Sequence, residues 1–340
     1  MHPFLTAFDD EDDVALAAPP AIEVIAPARL AGQRLDKALA VLLPQYSRTR
    51  IQQWIEAGAV RINGAVASAR RTVLAGDRFE VTVLPAPQEM ALRPEPLPLN
   101  IVDADETLVI IDKPPGLVVH PAAGHWSGTL ANGLLAFDPS LARLPRVGIV
   151  HRLDAGTSGL MVVARTAAAQ ADLVRQLQAR SVTREYWAIV YGRAAPAGTV
   201  DAPIGRDPRH PLRFMAGGGR GAREARTHWR LIDVAQVDGQ AFSWLACRLE
   251  TGRTHQIRVH LESVGLPLVG DPLYRRGRPP ARGGSPWTAM SRQALHACRL
   301  ALRHPQTGRT RAWFRAPPAD LQALMTMLGF DGRRDVRAFE

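Results

Sequence analysis

Length, composition and charge narrow the possibilities first. The chain has 340 residues, 46% of them hydrophobic, which is enough for one large core or two domains. No apolar run is long enough to span a bilayer, and acids stand near the N-terminus where a secretory signal would carry lysine or arginine. We therefore expect a cytoplasmic protein with no membrane partner. The net charge of +10, carried almost entirely by arginine, favours a polyanionic partner, although a GC-rich genome also enriches arginine.

The N-terminal part predicts a tail followed by short elements. Residues 1–21 are rich in acids and end in alanine and proline, a composition typical of disorder. Leucines then recur at helical spacing until Pro44, and Ser47 is placed to cap a second helix. The Asn63-Gly64 pair predicts a tight hairpin. Residues 22–84 are therefore expected to form a compact module of two helices and a small β-element.

This module is dense in basic side chains, which are Arg34, Lys37, Arg48, Arg50, Arg61, Arg70 and Arg71. Each alone would fit a solvated face, but together, against few acids, they favour a surface that follows phosphates. Arg34, Arg48 and Arg50 are our candidates for RNA contacts. The segments RLDKAL and SRTRIQQWIEAGAVRING resemble, in this order, the S4 RNA-binding domain.

The rest of the chain predicts a proline-rich linker (85–100), a larger domain (101–325) and a C-terminal tail (326–340). Apolar runs such as 108–111 and 160–164 suit buried strands. Strands and helices mix without the regular alternation of a doubly wound sheet. We therefore predict the α+β class.

Several kinds of site are disfavoured. The glycine-rich stretch 217–222 lacks the lysine and hydroxyl residue that end a phosphate-binding loop, so we interpret it as a flexible loop, and no dinucleotide-binding glycine pattern is present. Cys247 and Cys298 lie in separate apolar stretches and are predicted to be buried reduced thiols. His255 and His260 are five residues apart, not the four that would place two metal ligands on one helix face. We predict no metal and no cofactor.

One carboxylate stands out because no second carboxylate, cysteine pair or metal-ligand spacing accompanies it. Asp154 lies in HRLDAGTSGL (151–160), in a polar turn just before an apolar strand. A carboxylate fixed there can act as a nucleophile, as a general base or merely as a cap of its own turn.

Two further side chains are candidates to work with Asp154. Arg253, in TGRTHQIRVHL (251–261), either projects toward Asp154 and keeps it ionised or only ties down its own turn. Thr254 is placed to cap a helix whose inward face includes Val264. Tyr186 is either a core residue or a flat ring on which a base can stack.

Together these pieces resemble the RluA/RluD-type RNA pseudouridine synthases. The segments that carry the resemblance are DKPPGLVVHPAAGHWSGTLANGLL (112–135), GIVHRLDAGTSGLMVVART (148–166), VTREYWAIVYG (182–192), PIGRDPRH (203–210), LETGRTHQIRVHLESVGLPLVGDPLY (249–274) and RQALHACRLALRHPQTG (292–308). With the S4-like module they cover residues 25–318. The resemblance implies a catalytic domain with a central mixed, largely antiparallel sheet.

The resemblance also implies roles for individual residues. Asp154 matches the catalytic aspartate, and Tyr186 matches the tyrosine that stacks on the uracil. Arg253 matches the arginine paired with the catalytic carboxylate. Arg152 matches the motif arginine that shapes the RNA-binding turn. Ile257 and Arg258 lie in the third motif, near the pocket. The chain departs from the pattern at position 155, where alanine replaces a residue that is often basic.

The implied reaction is the isomerisation of uridine to pseudouridine, which needs a single carboxylate and no metal or cofactor. Asp154 would add to uracil C6, attack C1′ or abstract the 2′ proton, and the sequence does not choose among them. An S4 module joined to this domain looks most like the branch that modifies large-subunit ribosomal RNA. The alternatives are a synthase for tRNA or another structured RNA, and a non-catalytic RNA-binding assembly factor. We expect a monomer.

A second basic region lies inside the larger domain. The segment 206–226 contains six arginines, and we predict that it is a mobile arm that grips RNA, with Arg206 and Arg209 as contacts. The arginines within 275–278 fit either a similar arm or a disordered basic loop.

Overall fold

The computed structural model describes residues 21–68, 70–84, 91–122, 125–275, 286–331 and 339. The chain divides into two compact units, residues 1–90 and 91–340. Apart from Ala21, the predicted acidic tail lies outside the described residues, and so do positions 85–90 of the predicted linker and 276–278 of the second basic region.

The first unit packs two helices on a small antiparallel sheet. Its elements are β1 (Ala21–Ile25), α1 (Leu35–Leu42), α2 (Arg48–Glu56), β2 (Val60–Ile62), β3 (Ala65–Val66) and β4 (Arg78–Thr82), with a 3-10 turn at Ala28–Leu30. The sheet order is β1-β4-β2-β3. The predicted cap is confirmed, because Ser47 Oγ accepts a hydrogen bond from Arg50 N at 3.3 Å. The predicted hairpin is confirmed too, since Asn63 and Gly64 have φ of 50° and 82°.

The second unit contains one large sheet and a smaller three-stranded sheet. Its strands are β5 (Ile101–Ala104), β6 (Leu108–Lys113), β7 (Ser158–Ala164), β8 (Thr183–Tyr191), β9 (Ala197–Asp201), β10 (Ile204–Arg206), β11 (Phe214–Ala216), β12 (Arg220–Arg223), β13 (Arg226–Val237), β14 (Gln240–Leu249), β15 (Leu295–Arg303) and β16 (Thr310–Phe314). Its helices are α3 (Leu130–Phe137), α4 (Ala167–Gln178), α5 (Gln256–Ser263) and α6 (Ala319–Met327), with 3-10 turns at Pro139–Arg143, Pro145–Gly148 and Pro286–Ala289.

The order of the large sheet, within the described residues, is β5-β6-β7-β15-β8-β14-β13-β9, with β16 also paired to β15. The β7–β15 pair is parallel and the other pairs of this sheet are antiparallel. This confirms the predicted α+β class with a mixed, largely antiparallel sheet. No helix among the described residues has the length and apolar character needed to cross a bilayer.

Strand β8 divides two hydrophobic cores because side chains alternate across a strand. Tyr186, Ala188 and Val190 belong to the cluster that contains Ile257 and Leu261 of α5. The intervening side chains of β8 pack in a second cluster with α6. The face of β8 that carries Tyr186 therefore packs toward α5, and both elements contribute residues to the candidate site.

Four sequence-based expectations differ from the structure. Residues 91–100 pack in the second unit, where Asn132 Nδ2 donates to Arg93 O at 2.9 Å. The predicted C-terminal tail begins inside a packed region, since Leu328 and Phe330 are buried. Val264, which the helical pattern places inward, is exposed. The glycine-rich stretch interpreted as a flexible loop contributes residues to β12.

Candidate active site

The Asp154 side chain is carried by a turn that is fixed from both sides. Thr157 N donates to Asp154 O at 3.0 Å, which closes the turn. Lys113 Nζ donates to Ala155 O at 3.0 Å, and Arg292 Nη1 donates to Gly156 O at 2.9 Å. The carbonyl groups of the two residues that follow Asp154 are therefore anchored to β6 and to the segment before β15.

The small residues of this turn are required by close packing. A Cβ atom at position 156 would lie 2.7 Å from the Gln293 amide oxygen. Gly159 has a φ of +113°, and a Cβ there would lie 2.3 Å from the Ala297 carbonyl oxygen. The close β7–β15 pairing therefore needs glycine at position 159 and fixes where the turn before it can lie.

The ion-pair partner of Asp154 is Arg258. Arg258 Nη1 lies 3.0 Å from Asp154 Oδ2, and the same guanidinium binds Asp271 with Nε at 2.7 Å and Nη2 at 2.9 Å. Burial opposes the charge on Arg258, but hydrogen bonds and charges from Asp271 and Asp154 outweigh it and raise its pKa. The Arg258 guanidinium thus binds two carboxylates at once: the catalytic candidate Asp154 and the fully buried Asp271.

The expectation that Arg253 pairs with Asp154 is wrong in this structure. Arg253 Nε donates instead to Glu224 O at 2.9 Å, and its backbone N donates to Gln256 Oε1 at 2.9 Å. The helix does not begin at Thr254 either: its N-cap is His255, which adopts φ 57° and ψ 21° and makes no side-chain cap bond. This left-handed residue separates Arg253 from α5, so Arg258, in the first turn of the helix, reaches the carboxylate.

Tyr186 lies on the buried face of β8 and is 5% exposed. Burial raises the pKa of its hydroxyl to about 12; the charge of Asp154 also raises it, and that of Arg184 opposes the shift. The phenol is therefore neutral around pH 7. It can donate a hydrogen bond but does not act there as a base.

One cavity collects six of the candidate residues of the second unit. It has a volume of about 50 Å³, and its lining includes Arg152, Asp154, Tyr186, Arg253, Ile257 and Arg258. Asp154 remains accessible, with 17% of its side chain exposed. The structure thus brings together a carboxylate, a neutral phenol and a cluster of guanidinium groups, an arrangement suited to an anionic substrate with a planar ring.

The comparisons with known proteins point to one family. The model for RNA pseudouridylate synthase matches residues 107–263, and the S4 domain model matches residues 33–79. Ribosomal large subunit pseudouridine synthase D of Nitrosomonas europaea is 48% identical over 304 residues, 89% of this chain and 87% of the relative. Its namesake in Escherichia coli is 44% identical over 313 residues, 88% of this chain and 92% of the relative.

The chain belongs to the RNA pseudouridylate synthase family. It is an RNA pseudouridine synthase whose first unit contains an S4 domain, which confirms the family, the enzyme class and the RNA-binding module predicted above. A solved structure, human RNA pseudouridylate synthase domain containing 1, aligns with a TM-score of 0.51 at 25% identity, covering 68% of this chain and 87% of that one.

The arginines of the S4 domain are tied to their own fold more than the sequence indicates. Asp36 is fully buried and accepts from Arg34 Nε at 3.1 Å, from Arg48 Nη2 at 2.6 Å and from Gln52 Nε2 at 2.7 Å. Arg50 Nη2 donates to Leu84 O at 3.0 Å. Arg34 and Arg48 keep 48% and 46% of their side chains exposed, so they remain available to phosphates while serving Asp36.

The arginine-rich segment of the synthase unit, which we predicted to be a mobile arm that grips RNA, contains regular strands. Strands β10, β11 and β12 form a three-stranded antiparallel sheet across it. Arg206 lies over the Phe214 ring at 5.0 Å, and Arg213 pairs with Glu262 at 2.6 Å. Arg206 and Arg209 are exposed and lie outside the lining of the catalytic cavity.

Sequence reasoning missed several residues that build the site. Lys113 is one of two lysines in the chain and stands in the matched DKPPG segment, but its contact with Ala155 is long-range in sequence. Asp271 stands in the matched GDPLY segment, and nothing local shows that it binds Arg258. Arg184 lines the cavity two residues before Tyr186, and alternation along β8 predicts that both lie on one face, but it does not mark Arg184 as a site residue.

Proposed function

We propose that this enzyme isomerises specific uridines of large-subunit ribosomal RNA to pseudouridine, with Asp154 as the catalytic carboxylate. The observation that carries the proposal is the Asp154–Arg258 pair, 3.0 Å apart, in a cavity that also contains Tyr186. The ribosomal substrate is supported by relatives named ribosomal large subunit pseudouridine synthase D that match both units of the chain.

In the proposed reaction the N1–C1′ bond breaks, the uracil turns, and C5 bonds to C1′; C5 then loses its proton, and N1 gains one. Asp154 adds to C6, attacks C1′ or abstracts the 2′ proton. Each of these roles requires a carboxylate held in a fixed position, and Arg258 Nη1 binds Asp154 Oδ2 at 3.0 Å. The target must leave its stack to reach Asp154, which costs a few kcal/mol and least in a loop.

Tyr186 is proposed to stack on the uracil as it turns. Its ring lines the cavity beside Asp154, and its neutral hydroxyl supplies a hydrogen bond without adding negative charge. Arg152, Ile257 and Arg258 line the same cavity and are proposed to shape it around the nucleotide. The S4 domain is proposed to position the RNA through phosphate contacts, which orient a substrate without reading its sequence.

Mapping pseudouridines across all RNAs of a strain that lacks this chain tests the proposal. We expect sites to disappear from large-subunit ribosomal RNA and to return with the wild-type gene. Loss confined to tRNA or another RNA would replace the proposed substrate. An unchanged map would favour a non-catalytic assembly factor and contradict the proposed function.

A further inference from the structure

Arg184 is a buried arginine that has no carboxylate partner among the described residues. It is 7% exposed, and its one hydrogen bond to the described residues runs from Nη2 to Glu250 O at 3.4 Å, near the limit for such a bond. Its Nε atom is buried and has no partner, and no acidic side chain among the described residues forms an ion pair with it. Arg258 is buried to a similar degree but binds two carboxylates.

This difference matters because an isolated charge is costly to remove from water. A buried guanidinium that only supports the fold is expected to have a carboxylate or several carbonyl acceptors around it. Arg184 instead reaches open space on two sides, since it lines both the catalytic cavity and a neighbouring groove. Its donors are therefore placed for an anion that arrives from outside.

The groove beside the catalytic cavity has the charge that such an anion requires. It has a volume of about 500 Å³ and is lined by the guanidinium-bearing residues Arg146, Arg152, Arg180, Arg184 and Arg253. Glu250 is the one acid in that lining, and Arg180, at 2.7 Å, and His228, at 2.7 Å, already bind it. The groove therefore presents a net positive surface that continues into the cavity at Arg152, Arg184, Gly252 and Arg253.

The backbone around the groove is shaped for close approach. A Cβ at Gly252 would lie 2.9 Å from Arg184 Nη1, so the guanidinium occupies the space that a side chain would fill. Arg146, which lines the groove, and its neighbour Val147 adopt φ of 54° and 57°. Val147 is β-branched and is therefore strained at a positive φ, and such strain is concentrated at functional sites.

We propose that this groove, which we call the arginine groove (Arg146, Arg152, Arg180, Arg184, Arg253), binds the phosphodiester backbone of the strand next to the target uridine. Arg184 contacts one of its phosphates through the planar fork that suits two phosphate oxygens. The inference rests on the proposed function, because it takes RNA as the occupant of the cavity. To that function it adds a protein contact with a phosphate of the strand next to the reacting nucleotide.

The first test compares Arg184→Met, Arg184→Lys and the control Arg175→Met. Arg175 is 68% exposed, pairs with Asp172 on α4 and does not line the groove. The probe is a fragment of large-subunit ribosomal RNA that contains a uridine isomerised by the wild-type enzyme. We expect Arg184→Met to bind it roughly ten- to hundredfold more weakly, as for a lost hydrogen bond to a charged group. Its log–log salt slope should be shallower by about one.

The melting temperature separates this role from a structural one. Removing an unpaired buried charge should leave the melting temperature of Arg184→Met unchanged or higher. Arg184→Lys should fall between wild type and Arg184→Met in affinity, and Arg175→Met should match wild type. A destabilised or unfolded Arg184→Met, or one with unchanged affinity and salt slope, overturns the proposal and makes Arg184 a structural residue.

The second test identifies the phosphate. Neutral methylphosphonates replace the phosphates around the target uridine one at a time. At one position the wild-type enzyme should lose as much affinity as Arg184→Met does, and Arg184→Met should lose nothing further. Absence of any coupled position overturns the assignment to RNA. If inorganic phosphate then stabilises wild type but not Arg184→Met, the site takes a free anion instead.

These outcomes are distinct from a failure of the proposed function. If wild type modifies no ribosomal uridine, the proposed function fails, and the RNA that it does modify becomes the probe. If wild type is active on ribosomal RNA and Arg184 shows no coupling, only the arginine groove is rejected.

Discussion

Arg258 binds Asp154 at 3.0 Å while its remaining nitrogens hold Asp271 at 2.7 and 2.9 Å. The arrangement fixes the direction of the guanidinium before the substrate arrives, because Asp271 also accepts from Leu273 N and Tyr274 N. The Arg258 guanidinium further lies 4.9 Å from the centre of the Tyr274 ring. Asp154 therefore faces a guanidinium whose orientation is fixed by Asp271 and Tyr274.

Arg258→Lys should therefore reduce turnover much more than Arg253→Lys. Lysine keeps the charge but lacks the fork, so it cannot serve Asp154 and Asp271 together. We expect kcat to fall roughly ten- to hundredfold, as for a lost charge-assisted hydrogen bond of about 1.5–3 kcal/mol. Single-turnover assays on folded variants make the comparison. A larger kcat loss in Arg253→Lys would restore Arg253 as the functional partner.

The contrast between these two arginines shows where the sequence stops being informative. Both stand in TGRTHQIRVHL, five residues apart. The difference goes with the left-handed conformation of His255, which non-glycine residues adopt too seldom for the sequence alone to predict it. The motif residues line one cavity, but the arginine that contacts Asp154 could be identified only from the structure.

Other parts were predictable because they depend on local chemistry. The Ser47 cap and the Asn63-Gly64 hairpin follow from neighbouring residues, and both are confirmed. The Asp36 cluster could not be foreseen, since Arg48 and Gln52 are 12 and 16 residues away from it. Counting arginines therefore predicted a phosphate surface but not the carboxylate buried beneath it.

Tyr186→Phe should lower kcat with little change in RNA affinity, because the ring stays and the hydroxyl is lost. We expect a loss of about 10²-fold if the hydroxyl takes part in proton transfer. Burial raises the pKa of Tyr186 to about 12, so the wild-type rate should show no inflection from its ionisation below about pH 10. An alkaline inflection near pH 9 that is absent from the Phe variant would contradict this assignment.

Asp36→Asn should destabilise the S4 domain. Burial alone would favour the neutral acid, but hydrogen bonds from Arg48, Arg34 and Gln52 hold the pKa of Asp36 well below its usual range. A lowered pKa contributes stability above the unfolded value of about 4, and this contribution is lost as the pH falls below it. We expect the variant to lose roughly 1–3 kcal/mol at neutral pH.

Hydrogen exchange of α1 and α2 from pH 7 to pH 3 measures this effect. Wild type should lose protection on acidification, whereas Asp36→Asn should begin lower and change less. Glu23→Gln, at an exposed position of β1, is the control and should follow wild type. Parallel curves for wild type and Asp36→Asn would show that the buried carboxylate does not stabilise the domain.

Incubation of unmodified large-subunit ribosomal RNA with purified wild-type enzyme and with Asp154→Asn tests the central claim most directly. Asparagine keeps the size of the side chain and removes its charge, and Arg258 retains Asp271, so the variant should fold and bind RNA. Pseudouridine mapping should find discrete isomerised positions with wild type and none with the variant. Equal pseudouridine formation by a folded Asp154→Asn enzyme would contradict the assignment of Asp154 as the catalytic carboxylate.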